Sequence, residues 1–168
     1  MTRMLRWPLV GLFSLGAFVL PSGHGQGPSK VVPRLEPVAE TRLLMEGLAH
    51  PNFRGIERKL ATRPEDTQAW TFARGQALLI AETANLLMLR PPKNKGEAIW
   101  FDRAMDLRLQ ATQLAQHLGK KDYERSRSSL QQVAGSCNRC HQSFRINVDI
   151  APFQQQPDAP PLRKVDLR

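Results

Sequence analysis

Cys137-Asn138-Arg139-Cys140-His141 is the stretch on which the reading of this chain turns. Two cysteines separated by two residues and followed at once by a histidine form the attachment signal for a c-type haem. The order has a chemical reason. Two thiols add across the two haem vinyl groups to make thioethers, and the adjacent imidazole is carried under the iron as proximal ligand. Cys137 and Cys140 are the only cysteines in the 168 residues, so no thiol is left over. One haem c per chain is the cofactor this implies.

Around the motif, Leu130, Val133, Ala134, Cys137, Cys140, His141 and Phe144 recur at three- and four-residue steps, which puts them on one face of a helix. Arg125, Ser128, Gln132, Asn138 and Arg139 fall on the other face and suit water. A long C-terminal helix with the haem along its inner side follows. Taken with Gln142-Ser143-Phe144-Arg145 and its place near the chain's end, the motif resembles that of class II cytochromes c, the cytochrome c′ and cytochrome c-556 family. The resemblance implies an all-α fold, an antiparallel four-helix bundle with haem on the C-terminal helix.

Three other readings of the motif stay open. Zinc could take Cys137, Cys140 and His141 but wants a fourth ligand, and His24, His50 and His117 form no second spaced pair. A thioredoxin-like Cys-x-x-Cys belongs at a strand-to-helix turn, and no strand pattern precedes Cys137. A disulfide across two residues inside a helix would be strained.

Toward the start, Arg3 and Arg6 precede Leu9 to Leu20, an uncharged run of twelve residues between Pro8 and Pro21. A basic start and a short apolar run read as a secretory signal peptide over 1–25, with an uncleaved membrane anchor as the alternative. Export to the periplasm agrees with haem attachment, which bacteria perform outside the cytoplasmic membrane. Residues 26–35, rich in Gly and Pro, form a flexible lead-in.

The bundle is expected over 36–150. Its first helix starts near Glu36 to Val38, turns Val38, Leu44, Met45 and Leu48 inward, and stops at Pro51. A short helix with Phe53, Ile56 and Leu60 inward follows. Thr62 and Glu65 suggest a capping box for a helix from about Pro64 to Leu89, ended by Pro91 and Pro92. A third helix runs from about Glu97 to Leu118, with Ile99, Trp100, Met105, Leu107, Ala111 and Leu114 inward, and Gly119 supplies its stop. The last begins near Asp122 and fades around Asn147. Residues 151–168 carry prolines and glutamines without periodicity and read as a disordered tail.

In the resembling family the first helix passes the distal side of the haem. That makes Met45 the candidate distal axial ligand beside the proximal His141, with His50 a weaker alternative. A thioether ligand suits electron transfer. Arg42 and Arg145 are candidate haem-propionate contacts, because guanidinium forks fit carboxylates.

Removing residues 1–25 leaves 22 basic against 15 acidic side chains. A basic surface steers redox partner proteins with acidic docking faces. The Lys and Arg are scattered and no nucleic-acid-binding motif accompanies them, so nucleic acid is not an expected partner. The resemblance makes a homodimer compatible with the chain. The leading expectation is a one-electron carrier, not an enzyme, because no distal His–Arg pair of the peroxidase kind can be identified. The alternative is a five-coordinate haem protein that binds or senses NO or CO. Either way the haem completes the core of a small domain. A Cys137→Ser/Cys140→Ser variant is therefore expected to show weaker helical circular dichroism than the haem-loaded chain; undiminished ellipticity would argue against that dependence.

Overall fold

The computed structural model describes residues 34–93 and 96–154. The expected signal peptide (1–25), residues 26–33 of the lead-in and the tail from 155 onward lie outside the described residues. All regular structure among the described residues is helical. A first rod runs without a break as α1 (Thr41–Leu44), a π-helical turn (Met45–Ala49) and α2 (His50–Lys59). Three longer helices follow: α3 (Thr67–Met88), α4 (Glu97–Gly119) and α5 (Tyr123–Ser143). No helix among the described residues is long and apolar enough to cross a membrane.

The boundaries show where local chemistry overrides pattern. The first rod begins at Thr41, not at Glu36 to Val38, because Pro37 disfavours helical backbone before it and Glu40 is still extended. Val38 is consequently 96% exposed instead of inward. The stop expected at Pro51 does not occur. Pro51 lacks the N–H that would bond the Gly47 carbonyl, yet the chain widens instead of ending. The His50 N–H reaches back five residues to the Met45 carbonyl, and the Asn52 amide donates to the Leu48 carbonyl at 2.7 Å. The helix thus carries its proline by re-pairing the freed groups.

Asp66, and not Thr62, caps α3: its carboxylate accepts the Ala69 N–H at 2.6 Å. The approach to it is fixed by Trp70, whose indole N–H donates to the Pro64 carbonyl. Asp122 caps α5 as expected, accepting the Arg125 N–H at 3.1 Å. The stop of α4 falls two residues later than Gly119, on Lys121, which is left-handed at φ 56°. There Asp122 N–H bonds the His117 carbonyl and Lys121 N–H the Leu118 carbonyl, the paired bonds of a Schellman ending. Lys121 Nζ also donates to the Thr67 hydroxyl, tying this turn to the start of α3.

Cross-helix pairs give the register. Arg90 donates to the Ala39 carbonyl, and a Cβ on Gly55 would collide with the Gln76 amide, so the first rod and α3 are antiparallel. Trp100 donates to the Leu87 carbonyl and Arg108 to Asn85, setting α4 antiparallel to α3. Arg139 binds Asp106 and Arg103 reaches Ser143, which does the same for α5 and α4. The Leu60 carbonyl takes the Tyr123 hydroxyl at 3.2 Å and Arg127 at 2.5 Å, closing α5 on the end of α2. Four antiparallel rods therefore enclose one core.

The large apolar side chains with no more than 1% exposure are Ile56, Leu60, Ile80, Leu114, Leu118, Leu130 and Val133. They run from the α2–Tyr123 end to the middle of the bundle. Toward the Cys137 end Leu44, Leu87 and Leu107 are buried among the small or polar Thr83, Ala84, Ala104 and Ser136. Ile99 and Met105, expected inward, are exposed on the outer side of α4. Leu114→Ala, at a position of 0% exposure, is expected to cost about 2–5 kcal/mol in denaturant unfolding. Leu109→Ala, at 55% exposure on the same helix, is expected to change stability by less than about 0.5 kcal/mol.

Candidate functional site

The last two turns of α5 carry Cys137, Cys140 and His141 on one side of the helix, as their spacing requires. Both cysteines stand as free thiols, half-buried. Burial, reinforced by neighbouring Cys140, pushes the Cys137 thiol from its ordinary 9.0 up to about 12. Burial raises Cys140 too, with Arg103 opposing it. Both are therefore neutral thiols at physiological pH in the haem-free chain.

His141 is held from the far side by the chain that follows it. The helix ends on Phe144, and Arg145 takes a left-handed φ of 56°. Ile146 N–H then bonds the His141 carbonyl at 2.8 Å and Arg145 N–H the Gln142 carbonyl at 3.2 Å, again a Schellman ending. The helix fades at Ser143 instead of Asn147 because this turn reverses the chain. Residues 145–153 run back along α5, and the Val148 carbonyl lies 3.1 Å from His141 Nδ1. An Nδ1–H donated to that carbonyl leaves Nε2 as the free lone pair, the tautomer a metal-ligating imidazole needs.

Two groups fasten the returning strap. The Asn138 amide donates to the Ile150 carbonyl at 2.9 Å and its oxygen accepts the Ile150 N–H at 2.8 Å. Further on, Phe153 N–H donates to Glu57 Oε1 at 2.6 Å, and the Arg127 guanidinium lies 3.7 Å from the Phe153 ring centre. Asn138 is therefore half-buried and not on a water face. Residues 151–153, expected in the disordered tail, are packed against the bundle. Neither role was visible in the pattern, since an isolated asparagine and a phenylalanine among prolines carry no periodic signal. Beside the site, Phe144 meets Trp100 edge-on at 5.2 Å, next to Gly96, whose left-handed φ of 95° suits glycine.

The remaining candidates are on the first rod and beyond α5. Met45 is half-buried against the core. Following the cross-helix pairs from rod to rod brings Met45 to the level of Cys140, within about one helical turn. Arg42 is exposed and bonded to Glu46 at 2.7 Å, and His50 is exposed. Arg145 is exposed at its left-handed position.

A haem supplies its own equatorial nitrogens and asks the chain for two thiols and one imidazole. These residues fit that demand. Among the described residues no cluster of His, Cys, Asp and Glu could hold a bare ion, as the zinc reading would need. No family model, curated protein or solved structure matches the chain.

The raised thiol has a consequence in the haem-free chain. The unfolded state gives up the Cys137 proton near 9 while the folded state keeps it to about 12, so folding binds a proton between those values. Stability of the haem-free chain is expected to be unaffected by this group below pH 9 and to fall as pH rises toward 12. Cys137→Ser should flatten that decline in urea midpoints measured against pH.

Proposed function

We propose that this chain is an exported c-type cytochrome that carries one haem c and passes single electrons between proteins. The observation that carries the reading is the set Cys137, Cys140 and His141 on one helix face, with His141 Nδ1 committed to a backbone carbonyl. The bound haem supplies the one-electron couple. The chain supplies the rest. Cys137 and Cys140 hold the macrocycle covalently and His141 offers Nε2 as proximal ligand, with the buried Leu44, Leu87 and Leu107 giving the site apolar surroundings. A site of that kind keeps water off the redox centre and lowers the rearrangement that accompanies a change of charge.

Met45 serves as the distal ligand in this reading, supported by its level in the bundle and its partial burial. The exposed arginines of α4, α5 and the turn beyond give the surface its basic character, which suits partners with acidic docking faces. The five-coordinate, gas-binding alternative draws on one observation: Leu44, not Met45, is the fully committed core residue of α1, at 5% exposure.

Protein exported from cells with a haem-attachment system is expected to weigh one haem more than its amino acids, and Cys137→Ser/Cys140→Ser is expected to abolish the increment. A mature chain of peptide mass alone would sink the proposal. With haem bound, Met45→Ala is expected to convert sharp, split reduced bands into broad high-spin ones; a spectrum that does not change removes Met45 and leaves the five-coordinate reading.

A further inference from the structure

We propose that Asn138, one of the two residues between the cysteines, is a positioning residue for His141 that acts through the C-terminal strap. The inference rests on the haem reading for its redox consequence, but its geometry stands apart from it.

The positions between the two cysteines point away from the thiol face, so nothing in haem attachment itself requires a particular side chain there. Here one of them is used. The Asn138 carboxamide both donates to and accepts from Ile150, at 2.9 and 2.8 Å, the way one strand pairs with another. A carboxamide carries its donor and its acceptor side by side on one planar group, the geometry that a backbone N–H and C=O pair requires. That pair holds the strap two residues beyond Val148, and the Schellman turn holds it two residues before, where Ile146 N–H binds the His141 carbonyl. The Val148 carbonyl is thus pinned between two fixed points, 3.1 Å from His141 Nδ1. Phe153, bonded to Glu57 and covered by Arg127, anchors the end of the strap where α2 meets α5.

The chemistry follows. A carbonyl accepting the Nδ1 proton makes the imidazole a stronger donor at Nε2 and fixes its rotation. A stronger proximal donor stabilises the oxidised metal and lowers the reduction potential. Losing the clamp would let the strap swing, weaken that bond and raise the potential, with the thioether cysteines untouched.

The test uses the full haem-loaded chain and two variants, Asn138→Ala and Ile150→Pro. The second removes the N–H that Asn138 accepts and leaves α5 intact, so it carries the test should Asn138→Ala fail to mature. Three readouts are taken: amide exchange at 146–150, the iron–histidine stretch of the reduced protein in a Met45→Ala background that leaves the iron five-coordinate, and the reduction potential. The expected result is exchange faster by about tenfold, a lower stretching frequency and a higher potential in both variants. A strap that loosens while stretch and potential stay at wild-type values overturns the proposal, and so does a strap that does not loosen at all. Should the wild-type chain carry no haem, the functional reading fails on the mass alone. The clamp is then judged by nitrogen NMR of His141, where a fixed Nδ1–H tautomer in the wild type and a mixture in Asn138→Ala support it and identical tautomers refute it.

Discussion

The pitch of a single helix governs this molecule. At 3.6 residues per turn, positions three and four apart share a face, so Cys137, Cys140 and His141 can serve one ligand only while α5 stays helical to Ser143. Everything else bears on that condition. Asp122 starts the helix, the Schellman turn at Arg145 finishes it, and the packing of Leu130 and Val133 keeps its inner face against the core.

The helix end is also where tension between local preference and global need is plainest. Glycine is the residue best suited to a left-handed stop, yet α4 and α5 stop on Lys121 and Arg145. Such a residue costs of order 1 kcal/mol. The surroundings offset it: two backbone bonds in each case, and for Lys121 a side-chain bond to Thr67. At Arg145 the return is the redirected chain that brings Val148 to His141.

Much of this was legible in the sequence because long helices announce themselves through period. The spans of α3 and α4, the Asp122 cap that starts α5 and the inward positions Ile56, Leu114 and Leu130 all follow from spacing. So does the shared face of the motif. What escaped was carried by single residues whose partners are far along the chain. Asn138 looked solvent-facing because nothing nearby hinted at Ile150. Phe153 looked idle because Glu57 and Arg127 lie 96 and 26 positions away. Pro51 looked like a terminator because proline usually is one, and only the π turn with Asn52 shows how the helix survives it. Whether Met45, Arg42 or Arg145 touches a haem is likewise beyond periodicity, since a level in a bundle follows from register and a bond does not.

The π turn has a further consequence for anyone comparing this chain with other bundles. It holds one residue more than a regular turn, so it works as a phase slip of about 100° between the segment before it and the segment after. A numbering laid on α2 and extended backward would assign Leu44 and Met45 to the wrong sides of the rod. Any alignment that carries ligands over by counting from one end should therefore treat Thr41–Leu44 and His50–Lys59 as two separately indexed pieces.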